Sequence, residues 1–201
     1  MKLYILNTKS LLHKEIFAAS YEKCTEDRKR RINSKKLMQD KIRSLGCGIL
    51  IEKGFRDFGK NSFEILYSER GKPYDKDGEI YFSLSHSGNY CAAAFSDAET
   101  GVDIEVQRAL SDKLANRFFA PNEALQVVDD DSFLRLWTRK EALAKAFDVP
   151  LFEALSQNVI SDCGNLLGKD YFLQTFKDED YTISVCSLKQ KANVEIINFS
   201  I

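Results

Sequence analysis

The sequence predicts an α+β fold made of two mixed lobes. Three observations carry this. Stretches with the period of a helix alternate with short strand-like stretches in both halves of the chain. The 201 residues, 44% of them hydrophobic and 11% aromatic, suffice for a sizeable core. No repeat, low-complexity tract or proline- and glycine-rich linker interrupts them. Turn residues at 96–101 mark the expected junction, which gives an N-terminal lobe, 1–98, and a C-terminal lobe, 99–201.

The elements follow in order. Lys2-Leu3-Tyr4-Ile5-Leu6 reads as an opening strand. From about Asp27 to Lys53 one helix is expected, with Met38, Ile42, Leu45 and Ile49 on its apolar side, basic residues at its front and Gly54 as its C-cap. Phe63 to Tyr67 is a short strand, and Gly71-Lys72-Pro73-Tyr74 and Asp75-Lys76-Asp77-Gly78 are turns. Ile80, Phe82 and Leu84 alternate with Tyr81, Ser83 and Ser85, the pattern of a half-buried strand. Tyr90 to Phe95 is a small-residue buried strand, and Val102 to Val106 is the next. Leu110 to Phe119 and Pro121 to Val128 read as short helices. Phe133 to Phe147 is a strong helix with Leu136, Trp137, Leu143, Ala144 and Phe147 on its apolar side. Asp129 to Asp131 and Ser132 supply negative charge and a cap at its start. Tyr171 to Phe176, Tyr181 to Leu188 and Val194 to Phe199 close the chain as strands.

Composition narrows the function. A net charge of −1, from 29 basic and 30 acidic residues, does not suit a protein that coats nucleic acid through bulk positive charge. No apolar run approaches the roughly 20 residues of a membrane span, and Met1-Lys2-Leu3-Tyr4 lacks a signal-peptide core, so a cytoplasmic protein is expected. Cysteines 24, 47, 91, 163 and 186 form no CxxC pair and His13 and His86 are far apart. That favours buried thiols over a zinc site or a disulfide framework. The average charge hides two opposed blocks. Residues 21–43 hold nine basic side chains against four acidic, and residues 97–131 hold nine acidic against three basic. Each alone suits a solvated face; together they could bring a polyanion and a divalent cation into one place.

On the strand Val102-Asp103-Ile104-Glu105-Val106, the three aliphatic residues face one way and Asp103 and Glu105 the other, about 7 Å apart. A pair of ionised carboxylates so placed is relieved by solvent, as on an ordinary strand edge, or by a hard cation such as Mg²⁺. On the later helix Glu141 and Lys145 stand one turn apart, with Trp137 a turn earlier. They read either as an i,i+4 ion pair or as a metal ligand or general base beside a phosphate-neutralising lysine. Trp137 itself reads as a core anchor. Ser83-Leu84-Ser85-His86-Ser87-Gly88 could bind a phosphate at a strand end or simply form a capped turn, and Lys72 could be presented by its rigid turn.

Taken in order, Gly71-Lys72-Pro73-Tyr74, Phe82-Ser83-Leu84-Ser85-His86-Ser87, Gly101-Val102-Asp103-Ile104-Glu105 and Trp137-Thr138-Arg139-Lys140-Glu141-Ala142-Leu143-Ala144-Lys145 resemble the signatures of 4′-phosphopantetheinyl transferases of the surfactin-synthetase-activating type. Arg117-Phe118-Phe119 followed by Glu123 also fits. The resemblance implies a pseudo-dimer of two similar lobes with coenzyme A in the cleft between them. It implies transfer of phosphopantetheine from coenzyme A to a serine of an acyl, peptidyl or polyketide carrier protein, with release of adenosine 3′,5′-bisphosphate. By position it implies that Asp103, Glu105 and Glu141 hold Mg²⁺ and that Glu141 and Lys145 are catalytic. Arg28, Arg31, Arg43, Ser44, Lys72, Pro73, Ser85, His86 and Lys140 would bind coenzyme A. A monomer with no nucleic-acid or membrane partner is expected. Carrier proteins present acidic helices, so Gln107 to Arg117, with Arg108, Lys113 and Arg117, is the expected docking surface. Two alternatives are a metal-dependent phosphodiesterase or nuclease and a non-catalytic coenzyme A-binding module. Val106 after Glu105 departs from the acid-x-lysine pattern of many nucleases, and the three acids of the expected metal site are all present, which disfavours the module.

Overall fold

The structure, a computed structural model, describes residues 1–109 and 117–201. Two four-stranded sheets are sandwiched between helices. The first sheet has the order β10-β1-β5-β4, from β1 (Lys2–Asn7), β4 (Tyr81–Ser87), β5 (Tyr90–Ser96) and β10 (Glu195–Phe199). The second has the order β6-β9-β8-β7, from β6 (Thr100–Val106), β7 (Cys163–Leu166), β8 (Lys169–Lys177) and β9 (Tyr181–Ser187). A hairpin of β2 (Ile65–Tyr67) and β3 (Pro73–Asp75) stands apart.

Side-chain alternation builds the layers. On β5, Cys91, Ala93 and Phe95 pack with Leu50, Ile51 and Phe55 of α3 (Met38–Asp57), while Ala92 and Ala94 turn to the second sheet. There they meet Val102 and Ile104 of β6 and Ile183 and Val185 of β9. The far side of the second sheet carries the long helix α5 (Asp130–Phe147), with Leu136, Leu143, Leu173 and Cys186 in one core. The remaining helices are α1 (Lys14–Glu22), α2 (Glu26–Asn33), α4 (Pro121–Ala124) and α6 (Leu151–Leu155). Among the described residues no helix is long and apolar enough to cross a membrane.

The expected helix from Asp27 to Lys53 is two helices. Thr25 caps α2, its side chain accepting from Arg28 N, and the chain then runs extended at Leu37 before α3 starts. Gly54 is no cap either: α3 runs on to Asp57, and a Cβ at Gly54 would lie 2.2 Å from the Phe95 ring. A glycine is needed there for the helix to approach β5. In α5 the expected cap is present. Asp129 Oδ1 accepts from Ser132 N at 2.8 Å and Ser132 Oγ accepts from Asp129 N at 3.0 Å. Helices α1 and α6 and strand β7 were not foreseen, β3 occupies residues expected to turn, and Leu110–Asn116 of the expected helix from Leu110 lie outside the described residues. Strand β10 crosses the expected 98/99 junction: it leaves the second sheet's side of the chain and pairs in parallel with β1. Cys47, Cys91 and Cys186 are buried thiols as expected, whereas Cys163 is exposed.

Candidate active site

One cavity of about 760 Å³ gathers most of the expected site residues. Small-ligand sites are commonly about 300–1,000 Å³. Its basic wall comes from α2, α3 and the link between them, with Arg28, Arg31, Lys35 and Arg43, and Ser44 beside them. Its acidic wall is Asp103 and Glu105 of β6 with Glu141 and Lys145 of α5. Ser85 and His86 of β4 and Pro73 of β3 also line it. Residues of the two charge blocks thus line one common space.

The acidic wall depends on how closely α5 lies on β6. A Cβ at Gly101 would stand 1.9 Å from the Ala142 carbonyl oxygen, so a glycine is required where strand and helix meet. From that contact the strand period carries Asp103 and Glu105 to the helix side, and the helix period brings Glu141 and Lys145 over them. Lys145 Nζ reaches Asp103 Oδ1 at 2.6 Å and Ser85 Oγ at 3.1 Å. Ser85 Oγ donates to the same Asp103 oxygen at 2.8 Å, and Ser87 Oγ donates to Glu105 Oε2 at 2.7 Å. Asp103 Oδ2 is buried with no partner among the described residues. Burial, reinforced by the charges of Asp103 and Glu105 against the pull of Lys145, holds the Glu141 carboxyl above its ordinary pKa. Among the described residues no three His, Cys, Asp or Glu side chains converge on a single point that could hold an ion. The donor set nonetheless suits a hard divalent cation: three carboxylates on one wall, one with an orphaned buried oxygen and one pushed toward its neutral form.

On the basic wall Arg28 Nη1 donates to the Ser44 carbonyl at 3.4 Å, and Arg43 Nε donates to the Gly88 carbonyl at 3.1 Å. The Arg31 guanidinium lies 3.6 Å from the centre of the Tyr67 ring. His86 is held below its ordinary pKa, first by desolvation at the cavity wall and then by the positive charges of Arg43 and Lys145.

Two expected ligands do not line this cavity. Lys140 is fully buried on the far side of α5, where it pairs with Glu123 at 2.7 Å and donates to the carbonyls of Leu155 and Gln157. Adjacent residues of a helix diverge by about 100°, so Lys140 cannot share the face of Glu141. Lys72 does not line the cavity, although its neighbours Gly71 and Pro73 do. Its ammonium instead bridges the carbonyls of Thr100 at 3.4 Å and Ala146 at 3.3 Å, tying the turn to β6 and the end of α5. Desolvation lowers its pKa. The Ser85 hydroxyl has spent its single proton on Asp103, so its place is in the acidic wall.

Sequence reasoning passed over Tyr67, Ser34, Lys35 and Cys47, all of which line the cavity. Lys35 was visible only as part of a basic run, and nothing in the sequence around Tyr67 distinguishes it from a core residue. Trp137 packs edge-on to Phe118 at 5.1 Å, as a core anchor should, yet another part of it faces the cavity. Of the expected docking surface, residues 110–116, including Lys113, lie outside the described residues, while Arg108 sits 3.6 Å from Glu105.

A family model of the 4′-phosphopantetheinyl transferase superfamily matches residues 99–194, which include β6 and α5. The chain is 42% identical over 92 residues to the 4′-phosphopantetheinyl transferase AcpT of Escherichia coli O157:H7, covering 41% of this chain and 47% of that protein. It is 38% identical over 118 residues to the transferase gsp of Aneurinibacillus migulanus, covering 54% and 49%. With the transferase Sfp of Bacillus subtilis strain 168 the identity is 31% over 117 residues, covering 53% and 52%. The chain thus spans about half the length of the curated relatives it matches. Residues 99–194, the segment that carries the acidic wall, are thus similar to the 4′-phosphopantetheinyl transferase superfamily.

Proposed function

We propose that this protein transfers 4′-phosphopantetheine from coenzyme A to a serine of an apo carrier protein and releases adenosine 3′,5′-bisphosphate. The observation that carries the reading is the single cavity lined together by the cationic side chains of Arg28, Arg31, Lys35 and Arg43, by the carboxylates of Asp103, Glu105 and Glu141, and by Lys145. Coenzyme A brings a pyrophosphate and a 3′-phosphate. Arg28, Arg31, Lys35 and Arg43 form a wall that can neutralise them, and the Arg43 guanidinium is already oriented by Asp40 and the Gly88 carbonyl. Tyr67 holds the Arg31 guanidinium flat and so limits the rotamers it must give up on binding.

The attacking group is a serine hydroxyl, which is weak without a base. Glu141 is the group that can take its proton. Its raised pKa makes it a better base near neutrality than an ordinary carboxylate. Lys145, held over Asp103, supplies positive charge where the leaving phosphate develops its own. Asp103, Glu105 and Glu141 would hold Mg²⁺, whose part is to neutralise the pyrophosphate oxygens. The pseudo-dimer relation of the two lobes, 1–98 and 99–201, belongs to this proposal. The sandwich supports it in one respect: a long helix packs on the outer face of each sheet.

Intact mass spectrometry tests the reading. Incubated with coenzyme A and Mg²⁺, an apo carrier gains about 340 Da, the phosphopantetheinyl group left by phosphoryl transfer. No gain across fatty-acid, polyketide and peptide carriers would refute it.

A further inference from the structure

Strand β6 is the edge of the second sheet, and the inner face of β4 lies against it. Alternate N–H groups of an extended edge point to one side and need acceptors once buried. On β6 these are the amides of Val102, Ile104 and Val106. They donate to Ser83 Oγ at 3.1 Å, Ser85 Oγ at 3.3 Å and Ser87 Oγ at 3.2 Å. Three serines spaced by two residues on β4 thus replace the backbone ladder that a continuous sheet would have. All three are buried.

The rungs differ in what the serine proton does. Ser85 gives it to Asp103 Oδ1 and Ser87 gives it to Glu105 Oε2, at 2.8 and 2.7 Å. Ser83 accepts from Val102, but the residue before Val102 is Gly101, which has no carboxylate, and the Ser83 hydroxyl donates to no described partner. The first rung is therefore a joint alone, and the other two are joints that also aim an acid. We propose that Ser85 and Ser87 are positioning residues: through this ladder β4 sets the orientation of Asp103 and Glu105 for a divalent cation. This rests on the metal reading given under the proposed function. A carboxylate that already accepts a hydrogen bond is held in place, so less order is lost when a cation is bound. Such supporting partners commonly govern affinity.

Ser87 is the cleaner of the two to test, because Lys145 also contacts Ser85. Mn²⁺ is added alone to the full chain and free Mn²⁺ is counted by electron paramagnetic resonance, with melting temperature read in parallel. Ser83→Ala and Ser87→Ala each lose one rung, so both melt lower than wild type. Only Ser87→Ala removes the hydrogen bond that Glu105 accepts from β4, and its Mn²⁺ dissociation constant rises by about tenfold or more, while that of Ser83→Ala stays at the wild-type value. Should Ser87→Ala not fold, Ser87→Cys keeps the volume with a weaker donor, and the same direction is expected. Equal Mn²⁺ affinities in the Ser83 and Ser87 variants beside a wild type that binds would overturn this proposal alone. A wild type that binds no Mn²⁺ would overturn it together with the metal reading.

Discussion

Helix α5 holds two lysine–carboxylate pairs, five residues apart, with nearly identical contacts and opposite fates. Lys140 meets Glu123 at 2.7 Å and Lys145 meets Asp103 at 2.6 Å. In the first pair both side chains are 0% exposed, and Glu123 also accepts from the amides of Ala120 and Val159. Lys140 spends its other protons on two carbonyls. In the second pair Lys145 is 29% exposed, and Asp103 keeps a buried oxygen with no partner. A sealed pair with every bond satisfied is a bolt that fastens α5 to the loop around α4. A pair with bonding capacity left over, opening on a cavity, is a place where something else can bind.

Removing Lys140 breaks that contrast most strongly. Lys140→Ala strands a buried carboxylate, and urea unfolding should show a loss of about 3–5 kcal/mol. Lys145→Ala leaves Asp103 with its Ser85 hydrogen bond and solvent nearby, so the cost should be smaller, about 1.5–3 kcal/mol at most. Carrier loading, however, should collapse. If the two substitutions cost the same stability, the division into bolt and site is wrong. Gly101→Ala probes what joins strand to helix. Its Cβ would overlap the Ala142 carbonyl, an overpacking expected to cost about 1–3 kcal/mol by the same measurement. Loading should fall as well, because Glu141 and Lys145 move away from Asp103. A Gly101→Ala protein with normal stability and loading would show that the close approach is dispensable.

The smallest effect concerns Glu141. Its pKa is raised in the fold, so the native state binds that proton more tightly than the unfolded chain does. Stability is then greatest at or below the ordinary carboxyl value of 4.5 and declines as pH rises from there to the raised native value. In metal-free buffer at neutral pH, Glu141→Gln should therefore melt a few degrees higher than wild type, and the gap should close on acidification. A wild type that gains relative stability as pH rises would reverse the sign and remove the crowding of acids from the account.

Much of this was legible in the sequence because it follows local periods. The strand that separates Val102 and Ile104 from Asp103 and Glu105, the Asp129–Ser132 cap, and the shared face of Glu141 and Lys145 need only alternation and helical spacing. What escaped depends on distant partners. Lys140 sits beside Glu141 in a motif, but its role is decided by Glu123 and by carbonyls that the fold brings from α6 and beyond. Ser83 and Ser85 read as the wet face of a strand and Ser87 as part of the turn after it. Nothing nearby shows that another sheet's edge covers them. The break between α2 and α3 was hidden because the apolar period marks only α3, and the basic run before it suits either a helix front or a separate short helix. Parallel pairing of β10 with β1 joins the two ends of the chain and has no local signature.

The central claim is that the acidic wall and the basic wall act on one molecule of coenzyme A to load a carrier. Product stoichiometry tests it most directly. Adenosine 3′,5′-bisphosphate is followed by chromatography while the carrier is weighed by intact mass, with and without apo carrier. The account predicts one nucleotide released for each carrier loaded, and none when the carrier is left out. Release of the nucleotide without a carrier, or with no mass added to one, would make the protein a phosphodiesterase and contradict the account.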